Sequence, residues 1–344
     1  MRVVVTGGCG FIGSRLVRRL LASERECLVV DSLAQGGLRP ECHSRLTFVE
    51  QDVCDQISLV SIFQEFRPSV LVHLAAIHHI PTCERHPTAA LNVNIVGFQA
   101  ILDAAAAVGC RKVILASSGA VYGWNEGPLS EDRTPIKPTD IYSLSKVTNE
   151  TQLELWAAKT GAMGVVARIF NTIGENDPNG HLIPEVLRQL DSKADPARIK
   201  LGNLSSRRDY IYVEDTAACL SAMVEADGFL PTEYFNIGTG VEYSVRELVE
   251  RIAKIMGKSI EVCVDPGRVR QVDRPSQLAD MTKTLSRFPW KPTYSLDKAL
   301  TSILGHLAGA RSFEHAATPS SSISHFRLVE SQPDLWETKS SFRR

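Results

Sequence analysis

Several features that mark other classes of protein are missing from this chain of 344 residues. Its eight cysteines are scattered and include no Cys-x-x-Cys pair, so we expect reduced, mostly buried thiols and no disulfide framework. The formal net charge is only −1, which gives no electrostatic reason to expect nucleic acid or an anionic membrane as a partner. We therefore expect neither.

Long apolar runs are also missing. No run reaches the roughly 20 residues that a membrane-spanning helix needs. Residues Met1–Thr6 lead at once into glycines, which leaves no room for the apolar region of a signal peptide. Together with the thiols, these absences predict a cytoplasmic protein.

The chain does contain a regular alternation of strand-like and helix-like segments. Such alternation is typical of βαβ units, and continuous apolar strands indicate a sheet covered on both faces. We predict an α/β fold with a Rossmann-type doubly wound parallel sheet and a smaller C-terminal substrate-binding domain. The predicted strands are Val3–Thr6, Cys27–Asp31, Leu46–Glu50, Val70–Ala75, Lys112–Ser117 and Gly164–Phe170, and the clearest helices are Phe11–Ala22, Asn94–Val108, Tyr142–Ala158, Ile183–Leu190, Glu214–Ala226 and Ser244–Met256.

The pattern loosens after about residue 172, which suggests a domain boundary. We assign residues 1–172 to a nucleotide-binding domain, to which a segment at about 208–236 returns. Residues 173–311 form most of the substrate-binding domain. From residue 312 the chain is Ser-rich and aperiodic, and we expect 312–344 to be a disordered tail.

A glycine-rich loop joins the first strand to the first helix. Glycines let the backbone turn tightly and approach a pyrophosphate, whose charge meets N–H groups at the start of the helix. The loop follows a strand, opens a helix and is followed by a second strand, which makes the pattern specific for a dinucleotide. The residues predicted to contact the cofactor here are Gly7, Gly10, Phe11, Ile12 and Gly13.

The acid at the end of the second strand selects the cofactor. Asp31 follows Gly13 by 18 residues, close to the roughly 20 at which a carboxylate binds the adenosine ribose. A carboxylate there repels the 2′-phosphate of NADP, and Ser32 and Leu33 supply no arginine to offset it. We predict NAD. Asp52 and Val53, after the next strand, fit an adenine contact.

A candidate catalytic group lies in the middle of the chain. Tyr142 and Lys146 are four residues apart on a predicted helix, so their side chains share one face. A nearby ammonium is expected to lower the pKa of the phenol from about 10 toward neutrality, which suits a general acid/base. Ser118 follows the end of the strand 112–117, at the edge where ligands bind in doubly wound sheets.

Motifs spread over residues 1 to about 311 resemble those of the extended short-chain dehydrogenase/reductase family, in its nucleotide-sugar epimerase and dehydratase branch. The matching motifs are Thr6-Gly7-Gly8-Cys9-Gly10-Phe11-Ile12-Gly13, His73-Leu74-Ala75-Ala76, Ser117-Ser118-Gly119-Ala120-Val121-Tyr122-Gly123, Tyr142-Ser143-Leu144-Ser145-Lys146, Arg168-Ile169-Phe170-Asn171 and Arg208-Asp209-Tyr210-Ile211-Tyr212-Val213-Glu214-Asp215.

The resemblance implies roles for residues at matching positions. Ser118, Tyr142 and Lys146 would be catalytic, and Tyr142 and Lys146 would also contact the cofactor. A nucleotide-diphosphate sugar is the implied substrate, and a homodimer through the helices 94–108 and 142–158 is the implied assembly. Further cofactor contacts would be Leu74, Ala75, Ala76 and Asn94, and further substrate contacts would be Asn171, Arg208 and Arg274.

The resemblance also separates the reactions of the branch. Its 4,6-dehydratases carry an Asp-Glu pair directly after the catalytic Ser or Thr. Its decarboxylases carry a glutamate at the second position after that Ser or Thr. Here the two residues are Gly119 and Ala120, which cannot transfer protons. A 4-epimerase is therefore the preferred reading. An atypical dehydratase, a decarboxylase, a 4-keto reductase and, from another class, a non-catalytic NAD-binding regulator remain as alternatives.

One cluster of residues could suggest a metal. His78, His79, Cys83 and His86 are close in sequence, but their spacing alone is a weak signal and the family needs no metal. We expect none.

Overall fold

The structure is a computed structural model that describes residues 1–177, 182–190, 196–269 and 274–316, with side chains through residue 307. Residues Met1–Leu304 pack as one compact unit, which contains the sheets and the site. The second unit is Gly305–Arg344, of which only the end of a helix is described. Of the predicted disordered tail, 312–316 continue this helix, and 317–344 lie outside the described residues.

Strands and helices alternate through the first half, as the sequence indicates. The strands are β1 (Arg2–Thr6), β2 (Glu26–Asp31), β3 (Leu46–Glu50), β4 (Val70–His73), β5 (Lys112–Ser118), β6 (Met163–Ile169), β7 (Asn171–Ile173), β8 (Ala197–Leu201), β9 (Arg207–Tyr212), β10 (Thr232–Ile237), β11 (Glu242–Ser244) and β12 (Ile260–Val264). The α-helices are α1 (Phe11–Ala22), α2 (Gln56–Phe66), α3 (Ile80–Arg85), α4 (Pro87–Leu91), α5 (Gly97–Ala107), α6 (Ile141–Thr160), α7 (Leu182–Leu190), α8 (Val213–Glu225), α9 (Val245–Ile255), α10 (Thr282–Arg287) and α11 (Leu296–Ala316).

A seven-stranded parallel sheet is the centre of the molecule. Its strand order is β10-β6-β5-β4-β1-β2-β3, so the order reverses between β1 and β4. In doubly wound sheets, ligands bind beyond the carboxyl ends of the strands at such a point. At this place β1 ends with Thr6 and β4 with His73, and the two side chains are hydrogen-bonded at 2.8 Å. The predicted fold class is confirmed.

Helices cover both faces of the sheet because alternate strand residues point to opposite sides. Val3 and Val5 of β1 belong to the core layer under α1 and α8, whereas Val4 belongs to the layer under α2, α5 and α6. Each layer is built from side chains of near-zero exposure, such as Leu20 on one side and Phe98 on the other. Burial of such a side chain contributes roughly 2 kcal/mol, so the two layers hold the sheet rigidly.

The second half of the chain builds smaller sheets beside the large one. Strands β7, β9 and β11 form a three-stranded sheet, and β8 pairs in parallel with β12. A separate apolar cluster lies among α7, α9 and these strands, with Val186, Leu190 and Leu248 at its centre. One strand of this half, β10, returns to the large sheet and pairs with β6 along its whole length.

One expectation about apolar runs needs correction. Within the described residues, the stretch Pro87–Ala107 is, by length and composition alone, apolar enough to cross a membrane. It consists of α4, a π-helical turn at Asn92–Val96 and α5, and half of its most apolar window is buried inside the protein. A single partly buried helix of this kind is also what a protein core contains. The sequence does not show this stretch as one apolar run because Asn92, Asn94, Gln99 and Asp103 interrupt it.

Candidate active site

The backbone between β1 and α1 approaches other backbone atoms so closely at two positions that only glycine fits there. A Cβ atom on Gly13 would lie 2.1 Å from the carbonyl oxygen of Gly7, and one on Gly7 would lie 2.7 Å from the backbone nitrogen of Ala75. Gly7 also has a φ of +69°, which L side chains rarely adopt. Gly10 begins α1 without any side-chain cap, so the first N–H groups of the helix are left for an anion. The loop therefore fits a pyrophosphate.

Asp31 lies beside this loop at the carboxyl end of β2. Its carboxylate accepts hydrogen bonds from the backbone N–H groups of Cys9 and Leu33, each at 2.9 Å. A carboxylate oxygen has two acceptor positions, so both oxygens can still accept a hydroxyl. The structure thus brings the predicted ribose-binding acid to the predicted pyrophosphate loop.

The other predicted cofactor residues lie along the same edge of the sheet. Leu74, Ala75 and Ala76 follow β4, and the N–H of Leu74 donates to the carbonyl of Thr6 at 3.0 Å. Asp52 caps its own turn by accepting from the N–H of Cys54 at 2.9 Å, and Val53 is buried in the core layer under α2, α5 and α6. The proposed adenine contact by these two residues stays a prediction.

Local capping places the catalytic helix. Asp140 and Ser143 form a capping box, in which each side chain hydrogen-bonds to the backbone N–H of the other. This fixes the start of α6 at Ile141, so Tyr142 lies in its first turn and Lys146 one turn later. The helix ends at Gly161, whose φ is +71°.

Ser118 and Tyr142 are brought into contact by this arrangement. Ser118 is the last residue of β5, and its hydroxyl oxygen accepts a hydrogen bond from the N–H of Ala120 at 3.1 Å. The same side chain is hydrogen-bonded to the Tyr142 phenol, an interaction that favours the phenolate and lowers the pKa of Tyr142. The two groups that the sequence proposes as a catalytic pair are therefore neighbours.

Lys146 lies beneath this pair. Its Nζ donates a hydrogen bond to the carbonyl oxygen of Ala116 at 2.8 Å and is 5.8 Å from the centre of the Tyr142 ring. Burial lowers the pKa of Lys146 to about 8, against the opposing effects of Cys83 and Glu150. Burial and, secondly, the Lys146 ammonium lower the pKa of His73 to about 3, so this imidazole is neutral.

The prediction that the pKa of the Tyr142 phenol is lowered is wrong in the protein without cofactor or substrate. Burial, with smaller contributions from Cys83 and Asp140, raises the pKa of Tyr142 to about 12, while the hydrogen bond with Ser118 opposes this rise. The Nζ of Lys146 donates to the carbonyl of Ala116, and this ammonium does not offset the burial of the phenol.

Asn94 supports the site from within the protein. Its amide oxygen accepts from the N–H of Ile77 at 2.8 Å, and its amide nitrogen donates to the carbonyl of Ile77 at 2.9 Å and to the Ser145 hydroxyl at 3.0 Å. Asn94 thereby joins the segment after β4 to the catalytic helix. Its predicted contact with the cofactor stays a prediction.

The three predicted substrate residues lie together. The guanidinium of Arg208 donates to the backbone carbonyl of Arg274 at 2.8 Å, and the Asn171 amide lies 3.4 Å from the carbonyl of Asp209. The side chain of Arg274 reaches the loop after Ser118, where it donates to the carbonyl of Ala120 at 2.8 Å. The substrate residues are thus connected to the catalytic loop.

Residues His78–His86 flank the site on the other side. Cys83 is buried, and its thiol donates to the carbonyl of Ile77, while His79 and Thr82 are hydrogen-bonded at 2.9 Å. Across the described part of the chain, no three His, Cys, Asp or Glu side chains are arranged to hold a metal ion.

Sequence reasoning missed a buried charged group behind the site. Glu150, one turn after Lys146 on α6, is paired with Arg168 of β6 and hydrogen-bonded to Ser117 of β5. A signal was present, since Arg168 and Ser117 are polar residues in otherwise apolar strands, where an unpaired charge is not tolerated.

The fold and these residues define an NAD-dependent enzyme with a Ser–Tyr–Lys group at the cofactor crevice. A family model described as the NAD-dependent epimerase/dehydratase family matches residues 3–238. A protein named UDP-glucose 4-epimerase from Mycolicibacterium smegmatis is 34% identical over 310 residues, which cover 87% of this chain and 96% of that protein. The chain belongs to the NAD-dependent epimerase/dehydratase family, and NAD is its cofactor.

Two solved structures show the same fold around that cofactor. A UDP-glucose 4-epimerase from Thermus thermophilus in complex with NAD has a TM-score of 0.79 at 30% identity, covering 90% of this chain and all of that one. A dTDP-glucose 4,6-dehydratase from Streptomyces venezuelae with NAD bound has a TM-score of 0.80 at 26% identity, covering 91% and 98%. The predicted family and cofactor are confirmed, and both reactions occur among the similar proteins.

Proposed function

We propose that this protein is a nucleotide-sugar 4-epimerase. The observation that carries the proposal is the composition of the loop after β5. Ser118 contacts Tyr142, whereas the next two residues, Gly119 and Ala120, have no group that can transfer a proton. The site is therefore equipped to oxidise and reduce one carbon but not to eliminate water across a neighbouring bond.

In the first step, the oxidation of the sugar at C4, Ser118, Tyr142 and Lys146 have different roles. Tyr142, in its ionised form, takes the proton of the sugar C4 hydroxyl, and Ser118 holds the same oxygen by a hydrogen bond. Lys146 supplies a buried positive charge below the phenol, held in place by the carbonyl of Ala116. Bound NAD would accept the C4 hydride and return it to the opposite face of the sugar.

The proposal that NAD binds at the glycine loop is supported by the shape of the loop. The glycine loop has room for a pyrophosphate only because Gly7 and Gly13 lack a Cβ. Asp31 lies beside this loop, where its carboxylate would bind the adenosine ribose and its negative charge would disfavour a 2′-phosphate.

Arg208 and Arg274 are proposed to face the diphosphate of the substrate, with Asn171 beside them. Arginine suits this role because its planar guanidinium can donate two parallel hydrogen bonds to phosphate oxygens. Arg274 already donates to the carbonyl of Ala120, so substrate binding at this arginine would act directly on the catalytic loop.

Product analysis tests the proposal. Purified protein is incubated with a panel of nucleotide-diphosphate sugars without added cofactor, and products are identified by NMR. We expect one sugar to equilibrate with its C4 epimer, and the Tyr142→Phe variant to give no product. A 4-keto-6-deoxy product would establish the dehydratase alternative. Release of CO₂ would establish a decarboxylase, and retention of NAD without any turnover would establish a regulator.

A homodimer is proposed through the outer faces of the helical segments 94–108 and 142–158. Val96, Leu144 and Leu155 are 54%, 44% and 67% exposed, an apolar surface of the kind that subunit interfaces cover. Light scattering of Leu155→Glu tests this, because the charge would prevent association. The matched control is Leu230→Glu, since Leu230 is equally exposed at 67% but lies in the loop before β10. A dimeric Leu155→Glu protein would contradict the proposed interface.

A cytoplasmic location is proposed from the thiols. All eight cysteines are free, and five of them are buried. Thiol titration of freshly isolated, denatured protein should give eight reactive groups, and oxidised pairs would argue for another compartment.

A further inference from the structure

Side chains of α6 bind the last three residues of β5 in turn. Tyr142 is hydrogen-bonded to Ser118, Lys146 donates to the carbonyl of Ala116, and Glu150 accepts from the hydroxyl of Ser117. The three helix residues are spaced by four, so they lie on one face of the helix. Glu150 therefore belongs to the same row as the two catalytic residues.

Glu150 is a buried anion with a complete set of partners. It is 4% exposed, and Arg168 donates to both of its oxygens, through Nε at 3.0 Å and Nη2 at 2.8 Å. Such a two-point pair holds a carboxylate in one orientation. Because Ser117 binds one of these oxygens too, the carboxylate ties α6 to β5 and β6 at once.

Arg168 is itself fixed by aromatic rings. Its guanidinium carbon lies 4.8 Å from the centre of the Tyr122 ring and 4.6 Å from that of Tyr234. Tyr122 belongs to the loop that follows Ser118, and its hydroxyl donates to Asn236 at 2.7 Å. The pair of Glu150 and Arg168 thus reaches the catalytic strand, the catalytic helix and the catalytic loop.

The charge of Glu150 also acts on Lys146. Cys83 and then the Glu150 carboxylate, one turn further along the same helix, oppose the effect of burial and raise the pKa of Lys146. The other titratable groups around this ammonium are Tyr142 on the same helix, the neutral His73 of β4 and the buried thiol of Cys83 on α3. Burial keeps the imidazole neutral and raises the pKa of the Cys83 thiol to about 11, so neither group carries a charge beside Lys146 at neutral pH, whereas the Glu150 carboxylate is ion-paired with Arg168.

We propose that Glu150 is a positioning residue that fixes the end of β5 against α6 and keeps Lys146 in its charged form during hydride transfer. The inference rests on the proposed function, since it assigns Lys146 a charged role in that reaction. It extends the site by a residue that does not touch substrate or cofactor.

The test uses the pH dependence of hydride transfer in the NAD-loaded protein. Reduction of the bound NAD by the nucleotide sugar identified above is followed by fluorescence, a readout that does not depend on where the hydride later returns. We expect Glu150→Gln, which keeps the shape but loses the charge, to move the alkaline limb of the rate profile about one pH unit lower. At pH values above this limb the rate would fall about tenfold, with KM changed less than about twofold.

Two further variants separate charge from structure. Glu150→Asp retains the anion and should keep the alkaline limb of the wild type even if the rate is lower. The double variant Glu150→Gln/Arg168→Gln has no unpaired buried charge and replaces the single variant if that protein does not fold. Glu225→Gln is the control, since Glu225 is exposed on α8 and paired with Arg25, and its profile should match the wild type.

The outcomes distinguish the two proposals. The role of Glu150 is overturned if Glu150→Gln keeps the alkaline limb of the wild-type pH–rate profile. It is also overturned if Glu150→Asp shifts that limb as far as Glu150→Gln does. In both cases the epimerase proposal stands. If no nucleotide sugar reduces the NAD of the wild-type protein, the proposed function fails and this inference fails with it.

Discussion

The carboxylate of Asp31 accepts a hydrogen bond from the backbone N–H of Cys9 at 2.9 Å, which joins the end of β2 to the glycine loop. The same carboxylate places a negative charge where the adenosine ribose is expected. One side chain therefore serves the shape of the loop and the choice of cofactor, and these two roles respond differently to substitution.

Asp31→Asn should weaken discrimination between cofactors. The amide keeps an oxygen that can accept from Cys9, but it loses the charge that repels a 2′-phosphate. We expect NAD to bind about tenfold more weakly and the preference for NAD over NADP to fall by a similar factor or more. Calorimetric titration of cofactor-free protein measures both. The control is Asp132→Asn, which changes an exposed residue paired with Lys283 and should leave both affinities unchanged. If Asp31→Asn excluded NADP as strongly as the wild type, Asp31 would not be the residue that selects NAD.

Gly13→Ala should remove cofactor binding with a single methyl group. The new Cβ would lie 2.1 Å from the carbonyl oxygen of Gly7, so the loop must change shape. We expect the purified variant to contain less than about a tenth of the NAD of the wild type, as measured in acid extracts. Gly305→Ala adds the same methyl group where no atom lies within 4 Å and should leave the NAD content unchanged. Full NAD content in Gly13→Ala would show that the loop is not the pyrophosphate site.

Tyr142→Phe should abolish turnover while leaving the fold and the cofactor in place. Removal of a general acid/base lowers the rate by roughly 100- to 10,000-fold. The variant retains the ring and loses only the hydroxyl that bonds to Ser118. Tyr294→Phe is the matched control, because Tyr294 stacks on Tyr212 at 4.3 Å outside the catalytic group. A turnover number of Tyr142→Phe within tenfold of the wild type would refute the mechanism.

Lys146→Met should make the protein more stable at neutral pH but inactive. The pKa of Lys146 in the folded protein, about 8, is below its ordinary value of 10.5. Below pH 8 the folded wild type bears a net cost of about 3 kcal/mol for the buried charge, while the variant leaves the carbonyl of Ala116 without this donor, which costs it roughly 2 kcal/mol. We therefore expect a net gain of about 1 kcal/mol for the variant.

The pH dependence of this difference has a definite sign. Between pH 8 and 10.5 the unfolded wild type holds a proton that the folded protein has released, so its stability rises with pH. The advantage of Lys146→Met in melting temperature should thus shrink as pH rises through this range. A constant difference between pH 7 and pH 10 would show that the charge is not the cause.

Local patterns in the sequence predicted the first six strands to within two residues at each end. They also gave the capping box at Ser244 and Glu247, which starts α9. These features are decided by neighbours in sequence, namely strand periodicity, glycine turns and helix caps. The approach of Tyr142 to Ser118 could be anticipated from the fold class, because a doubly wound sheet brings the end of a strand and the start of the next helix to the same edge.

Contacts between distant segments could not be obtained in this way. Nothing near Arg274 in sequence indicates that its guanidinium donates to the carbonyl of Ala120, more than 150 residues away. The pairing of Glu150 with Arg168 likewise depends on how α6 lies over β5 and β6. The raised pKa of Tyr142 follows from burial, which a spacing of four residues does not specify.

The pairing of β10 with β6 has a consequence for synthesis of the chain. Residues Thr232–Ile237 complete the large sheet, so when a ribosome has released residues 1–172 the edge of β6 still has no neighbour. That edge carries Val165 and Val166, which are fully buried in the finished protein. An uncovered apolar edge invites pairing with other chains. The growing polypeptide therefore exposes an aggregation-prone strand edge until β10 has been synthesised. A fragment ending at residue 172 would keep this edge exposed.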